Sequence, residues 1–155
     1  KGMPAGIGEP VFDKLDANLA KAVMSIGAVK GVEIGDGFAV AGAFGSDNND
    51  SFCKGQDGKI AKTTNHAGGI LGGMSDGSDI ILRAAIKPTP SIARQQQTAN
   101  RDGEDIEISI KGRHDPIIVP RAVVVVEAMT AICVLDMILL GMTSRLDRIQ
   151  EFWKK

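Results

Sequence analysis

The longest apolar stretch of the chain, residues 122–141, most strongly limits what the chain can fold into. It is long enough to raise the question of a membrane span, but it contains Glu127 and Asp136. An acidic side chain near the centre of a span costs roughly 2.5 to 3.5 kcal/mol on insertion scales. The sequence therefore predicts a buried helix of a soluble protein. Because neither acid has a basic residue four positions away, we expect each to find a partner on another element or subunit.

The overall charge argues against a polyanionic partner. Lys and Arg number 18 against 19 Asp and Glu, so the net charge is -1 and no general field attracts nucleic acid or a membrane surface. Cys53 and Cys133 lie far apart, with no CxxC spacing and no histidine cluster around them. We therefore predict reduced thiols, no metal site and a cytoplasmic location. The chain opens at Lys1 in a dense Gly- and Pro-containing loop, which we interpret as a cut polypeptide.

The first half of the chain predicts a helix, two strands and a long loop. Apolar residues recur at helical spacing from Leu15 to Ile26, and Asp13 is placed to cap that helix. Short apolar runs at 29–34 and 38–44 predict two strands joined by a tight turn. Residues 45–64 are polar, with too few apolar side chains to anchor them, and predict a mobile surface loop.

The second half predicts two more strands and two helices. Residues 79–87 and 104–110 alternate, and Ile106, Ile108 and Ile110 are expected to face a core. A long helix should follow as far as residue 140, then a short one capped by Ser144. The expected buried stripe of the long helix is Val124, Ala131, Leu135 and Ile138. This order predicts one α+β domain over residues 1–155, with antiparallel sheets packed with helices.

Two glycine-rich stretches resemble nucleotide-binding loops only in part. Residues 35–40 nearly fit the dinucleotide fingerprint, but Val40 replaces its third glycine and the following residues read as a strand. Residues 68–73 lack the Gly-Lys-Ser/Thr ending of a phosphate-binding P-loop. The sequence therefore argues against a nicotinamide-binding fold and a nucleotide triphosphatase.

Residues 87–91, the basic proline segment, place an ammonium, two hydroxyls and backbone donors on a stretch that two prolines stiffen. Such preorganised donors suit a phosphate or a polar heteroaromatic ring. An ordinary Pro-containing turn after a strand explains the pattern equally well. The segment consists of Lys87, Pro88, Thr89, Pro90 and Ser91.

Residues 112–116, the Arg-His-Asp segment, place a planar cation, an imidazole and a carboxylate before the long helix. Arg113 can hold an oxyanion with paired hydrogen bonds, and Asp115 could cap the helix. We interpret His114 as a loop histidine in preference to a catalytic base. The same interpretation applies to His66.

Four stretches together resemble the chorismate synthase family in order, spacing and wording. They are GMPAGIGEPVFDKLDANLAKAVMSIGAVKGVEIGDGF, NHAGGILGG, IKPTPSI and KGRHDPIIVPRAVVVVEAM. The likeness runs from Lys1 to about Leu140. It implies a sandwich of helices between antiparallel sheets and a homotetramer that binds reduced FMN. It also implies a lyase of the shikimate pathway that converts 5-enolpyruvylshikimate 3-phosphate to chorismate by 1,4-elimination.

The resemblance also implies roles for particular residues. Asp115 matches the carboxylate thought to assist proton removal from the substrate. The flavin contacts implied are Gly27, Ala28, Gly72, Lys87, Pro88, Thr89, Pro90, Ser91 and Arg113. The two important histidines of the family, and most of its substrate-binding arginines, belong to an N-terminal portion absent from these 155 residues, so this chain alone is expected to be inactive. The alternative is a non-catalytic phosphate-binding or assembly module, and the use of NADPH stays open.

Overall fold

Helices and four small strand pairs make up the computed structural model, which describes residues 1–55 and 58–154. The helices are α1 Leu15–Met24, α2 Val119–Met142 and α3 Leu146–Trp153, with a 3-10 helix at Gly37–Gly42. The strands are β1 Val29–Ile34, β2 Phe52–Lys54, β3 Ile60–Lys62, β4 Ile70–Leu71, β5 Met74–Ser75, β6 Leu82–Ile86, β7 Gln96–Ala99 and β8 Asp105–Ile108. β1 pairs with β6, β2 with β3, β4 with β5 and β7 with β8, all antiparallel. The predicted α+β class is confirmed.

The core lies where α1 packs against α2 and β4. Leu15, Leu19 and Val23 are fully buried on α1. They share one face because residues four apart stack along a helix. Met137 of α2 and Ile70 of β4 are buried in the same region. The helical periodicity predicted for this part of the sequence is confirmed.

The start of α1 is satisfied by another loop and not by a side chain. Lys14 occupies the N-cap position without a side-chain hydrogen bond, so the predicted cap by Asp13 is wrong. The backbone N–H of Leu15 donates instead to the carbonyl oxygen of Gly73, at 2.8 Å. A carbonyl brought by the fold thus replaces the local cap that the sequence suggested.

β1 and β6 form the longest strand pair. Glu33 lies opposite Arg83, and Arg83 Nε is 3.1 Å from Glu33 Oε2. The strand predicted at 79–87 is confirmed in its second half only. At its beginning the carbonyl oxygen of Asp79 accepts the side-chain amide of Asn65, which ties this part of the chain to a loop.

The strand predicted at 38–44 is wrong, because the chain forms a 3-10 helix there. The N–H of Phe38 donates to Glu33 Oε1 at 3.1 Å, and the N–H of Ala39 donates to the carbonyl of Asp36 at 3.1 Å. These local acceptors take donors that a strand would have offered to a neighbour. Phe38 and Phe44 are left exposed.

The segment predicted as the loop 45–64 contains the β2–β3 hairpin. Residues 56 and 57 of that segment lie outside the described residues. Phe52 and Ile60 are exposed, at 67% and 82% of their full accessible area, so they contribute little to the core. The shortage of apolar anchors is confirmed, whereas the mobility of the segment stays a prediction.

Helix α2 carries apolar residues on every side, so its sequence does not reveal which face is buried. Cys133, Val134 and Met137 lie toward the core, with Met137 buried. Periodicity gives no preferred face when both sides of a helix are apolar. The predicted buried stripe is therefore largely wrong, since most of its members are exposed: Val124, Ala131 and Leu135, against a partly buried Ile138.

The two acids of α2 are exposed in this chain, with no hydrogen-bond or ion-pair partner among the described residues, so a partner on another subunit stays a prediction. Glu127 and Asp136 are nine residues apart, which places them on opposite sides of a helix with 3.6 residues per turn. By length and composition alone α2 could cross a membrane. At the end of α2 the hydroxyl of Ser144 donates to the carbonyl of Gly141, so its predicted capping of α3 is also wrong.

The strand predicted at 104–110 exists as β8, paired with β7. Ile106, Ile108 and Ile110 are exposed to between 36% and 43%. Their predicted core-facing position is therefore wrong for this chain, because nothing within 1–55 and 58–154 buries that face of the hairpin. The alternation that identified the strand was correct, but it cannot say what covers the apolar side.

Candidate functional site

The turn after α1 meets the segment that follows β6. The backbone N–H of Lys87 donates to the carbonyl oxygen of Ala28, at 2.8 Å. Ala28 has a φ of +70°, a left-handed conformation that costs an L-residue roughly 1–2 kcal/mol. Strained residues of this kind cluster at functional sites. The structure thus brings together Gly27, Ala28 and Lys87, three of the predicted ligand contacts.

The basic proline segment offers donors to solvent. Lys87 is exposed, and its ammonium has no hydrogen-bond or ion-pair partner among the residues that the structure describes. The carbonyl of Pro90 accepts the side-chain amide of Gln96, at 3.2 Å, which attaches the segment to β7. The half-buried hydroxyls of Thr89 and Ser91 likewise make no hydrogen bond within the described part of the chain.

The Arg-His-Asp segment has one open cation and one paired carboxylate. Arg113 is exposed and has no partner within 1–55 and 58–154. Asp115 accepts from Arg121 Nη1 at 2.7 Å and from Nη2 at 3.5 Å. The predicted capping of α2 by Asp115 is wrong, since Ile118 takes the N-cap position without a side-chain bond. His114 Nε2 lies 2.8 Å from the carbonyl oxygen of Ile110, which gives this histidine a local structural contact.

The two segments are not directly joined in this chain. Within the described ranges, no hydrogen bond or ion pair links residues 87–91 to residues 112–116. The β7–β8 hairpin lies between them in sequence. Their convergence on one ligand therefore stays a prediction.

Gly72 and Gly73 form the two-residue turn between β4 and β5, with φ values of +59° and +87°. Positive φ at both positions is typical of the hairpin turns that match strand twist. Gly72 is exposed, and a Cβ added there would meet no atom within 4 Å. Gly73 is buried, and its Cβ would lie 2.5 Å from the carbonyl oxygen of Glu9. Gly72 therefore leaves open space for a ligand, while Gly73 serves packing.

This difference predicts unequal effects of alanine at the two positions. Gly73→Ala should lower the free energy of unfolding by about 1–3 kcal/mol more than Gly72→Ala, because only Gly73 adds a collision with backbone to the strain of positive φ. Urea unfolding of both variants measures the difference. Equal losses would show that Gly73 is not packed as described.

Some of the predicted contacts lie near the two ends of α1. Gly73, next to Gly72, accepts the first N–H of the helix. Gly27 and Ala28 lie in the turn after its C-terminal end, where Ala28 accepts the N–H of Lys87. A helix of ten residues is about 15 Å long. A ligand that touches Gly72 and Ala28 together must therefore be elongated.

A buried ion-pair cluster, Asp50, Lys62 and Asp76, was not recognised in the sequence. Lys62 Nζ lies 3.2 Å from Asp50 Oδ2 and 2.6 Å from Asp76 Oδ2. The exposed fraction of the side chain is only 4% for Lys62, 5% for Asp50 and 8% for Asp76. Asp50 also accepts the backbone N–H groups of His66, at 2.7 Å, and Ala67, at 2.9 Å.

Pairing outweighs burial in this cluster. Burial alone would raise the pKa of the Asp50 carboxyl, but hydrogen bonds from the backbone of Ala67 and His66, from Thr64 and from Lys62 hold that pKa well below its usual value. Burial would raise the pKa of Asp76 too, but the hydrogen bond from Lys62 is the main cause that lowers this pKa. Burial would lower the pKa of Lys62, yet its bonds to Asp76 and Asp50 raise it.

These directions predict a broad pH range of full stability. The two carboxylates have folded pKa values below the unfolded value of about 3.9, so their contribution is present above about pH 4 and is lost as pH falls. The pKa of Lys62 is raised above about 10.4, so its contribution is present below that pH and is lost above it. Thermal unfolding of the protein and of Asp50→Asn across pH 2 to 8 checks this. The difference between their midpoints should shrink below pH 4, and a constant difference would contradict the assignment.

A contact between a histidine and a carboxylate links two turns. His66 Nδ1 lies 2.6 Å from Asp36 Oδ2, and the carbonyl of His66 accepts the N–H of Asp36 at 2.9 Å. His66 thus joins the turn after β1 to the loop before β4. This structural contact agrees with its interpretation as a loop histidine.

Comparison with known proteins decides the family. The family model described as chorismate synthase matches residues 1–139. The chain belongs to the chorismate synthase family. It is 67% identical over 154 residues to the chorismate synthase of Lachnoclostridium phytofermentans, covering 99% of this chain and 42% of that protein. It is 62% identical over 141 residues to that of Archaeoglobus fulgidus, covering 90% of this chain and 39% of that protein.

A solved structure agrees with this membership. A crystal structure of chorismate synthase superimposes with a TM-score of 0.69 and 31% sequence identity. The match covers 97% of this chain and 37% of the solved one. The chain therefore spans about two fifths of the length of the chorismate synthases that it matches.

Proposed function

We propose that this chain is the C-terminal, flavin-facing portion of a chorismate synthase. The complete enzyme would convert 5-enolpyruvylshikimate 3-phosphate to chorismate and phosphate by 1,4-elimination, as a cytoplasmic homotetramer in the shikimate pathway. The observation that carries the proposal is the family match over residues 1–139, and two exposed cations without protein partners among the described residues support the site. Lys87 and Arg113 lie in the two segments that the family resemblance assigns to the cofactor.

Reduced FMN fits the groups that the chain offers. Flavin mononucleotide is elongated and anionic, and Gly72 lies near one end of α1 while Ala28 and Lys87 lie beyond the other. The open space over Gly72 and the unpaired cations Lys87 and Arg113 supply room and positive charge. When bound, the reduced flavin supplies transient electron donation that helps the phosphate group leave.

The residues of the chain would then bind the ligand, orient it and accept a proton from the substrate. Arg113 would pair with an anionic group of the flavin or substrate through its planar fork of donors. Asp115 would accept the substrate proton on one carboxylate oxygen, while Arg121, which already contacts both oxygens, orients the group. The exposed apolar surface of α2 would be covered by the remainder of the enzyme, which supports burial in a soluble protein over a membrane span.

Anaerobic titration of the complete enzyme with reduced FMN tests the proposal. We expect a change in the flavin spectrum that grows when 5-enolpyruvylshikimate 3-phosphate is added, followed by chorismate absorbance. The 155-residue chain alone should form no chorismate, since it spans about two fifths of its relatives. Absence of any flavin change in the complete protein would favour the alternative, a non-catalytic phosphate-binding or assembly module.

A further inference from the structure

The ion-pair cluster joins the β2–β3 hairpin, which contributes almost nothing to the apolar core, to the loop that carries the core residue Ile70. The β2–β3 hairpin has strands of three residues each, and its Phe52 and Ile60 are exposed. An isolated two-stranded hairpin is marginally stable in water. Lys62, at the end of β3, is nonetheless almost completely buried between two carboxylates. The contacts of this ammonium, together with the bonds that Asp50 accepts from His66 and Ala67, attach the hairpin to the rest of the fold.

The two carboxylates hold opposite ends of the glycine loop, residues 65–79. Asp50 accepts the N–H groups of His66 and Ala67 at its beginning. Asp76 accepts the N–H of Ser78 at 2.8 Å near its end, and its own N–H donates to the carbonyl of Gly69 at 3.0 Å. Because Lys62 bridges both carboxylates, it connects the two ends of the loop. The turn at Gly72 lies between them.

Burial of three charges is a costly way to stabilise a loop. Two carboxylates and one ammonium must be taken out of water. Apolar side chains of similar size would often stabilise the folded state to the same degree or more. Buried ion pairs do, however, require one geometry, since removing a partner leaves an uncompensated charge. Such a cluster favours a precise loop position over mere stability, and precision is what a ligand-contacting turn needs.

We propose that Lys62, through Asp50 and Asp76, is a positioning residue that holds the Gly72 turn of the glycine loop in place for the flavin. The inference rests on the proposed function, because it takes Gly72 as a flavin contact. It gives part of the polar segment 45–64 a definite role, because Lys62 at the end of β3 holds the glycine loop. Lys62 is buried by protein atoms, so it acts only through the loop.

The test compares Lys62→Met with Lys54→Met in the complete enzyme. Both variants remove one ammonium from the same hairpin, but Lys54 is exposed. Two quantities are measured: the Kd for reduced FMN and the hydrogen-exchange rates of the amides of His66 and Ala67. Lys62→Met should raise the Kd about tenfold, equivalent to about 1.4 kcal/mol, and should speed exchange at both amides. Lys54→Met should change neither.

The outcomes separate this inference from the proposed function. If unaltered enzyme does not bind reduced FMN, the proposed function fails, and with it the positioning role for the flavin. If the enzyme binds FMN and folded Lys62→Met binds it equally well, positioning is overturned while the function stands. Equal losses of FMN affinity in Lys62→Met and Lys54→Met would also overturn the positioning role.

Asp76→Asn carries the same test should Lys62→Met not fold. It removes one carboxylate and leaves Lys62 paired with Asp50. We expect about a threefold rise in the Kd for reduced FMN, with faster exchange at the amides of the glycine loop. An unchanged Kd in folded Asp76→Asn would overturn the positioning role.

Discussion

Asp115→Asn in the complete enzyme is expected to lower the rate of chorismate formation by about 10²- to 10⁴-fold, the usual contribution of a positioned general base. Asparagine keeps the size of the side chain and an oxygen that can accept from Arg121, but it cannot take a proton. Affinity for reduced FMN should change little. Steady-state turnover and flavin titration of the same sample measure the two effects.

Two further variants show whether the loss at Asp115 is chemical. Asp102→Asn changes an exposed carboxylate in the β7–β8 turn and should leave the rate unaltered. Arg121→Ala breaks the ion pair but leaves the carboxylate, so its loss should be smaller than that of Asp115→Asn. If Asp115→Asn turned over at the normal rate, Asp115 would have no role in proton transfer.

Arg113→Ala should weaken binding of reduced FMN or of the substrate phosphate by about 1.5–3 kcal/mol, or roughly 10- to 150-fold in Kd. The physical reason is that Arg113 is exposed and unpaired in the described parts of the chain, so its charge-assisted bonds are available to a ligand. Titration of the flavin with and without substrate identifies which anion Arg113 holds.

Arg113→Lys and Arg101→Ala provide the controls for that effect. Lysine retains the charge but not the planar fork, so it should recover only part of the affinity. Arg101 is an exposed arginine of the β7–β8 turn, and its removal should have no effect on binding. Equal losses on removing Arg101 and Arg113 would indicate a general effect of net charge.

Local patterns predicted the elements whose packing is local. The spacing of Leu15, Leu19 and Val23 identified α1, a short apolar run identified β1, and alternation identified parts of β6 and β8. The same reasoning failed at 38–44, because an apolar run becomes a strand only when a neighbour accepts its hydrogen bonds, and Glu33 and Asp36 took those donors. It failed on α2 because a helix that is apolar on every side does not reveal which face packs.

The candidate site shows a similar division. The basic proline segment and Arg113 were predicted from local groups of donors and from the family resemblance, and their contacts with a ligand stay a prediction. The ion-pair cluster could not be predicted, since Lys62 meets Asp76 across 14 residues and no local spacing indicates that contact. Polarity was read as exposure in residues 45–64, whereas pairing allows three charged side chains to be buried at its edge.

A crystal structure of the complete enzyme with reduced FMN would test the central claim most directly. We predict that the basic proline segment and Arg113 both lie within hydrogen-bonding distance of one flavin, with Asp115 near its ring system. A flavin bound elsewhere, or one touched by only one of the two segments, would contradict the assignment of both the site and its chemistry.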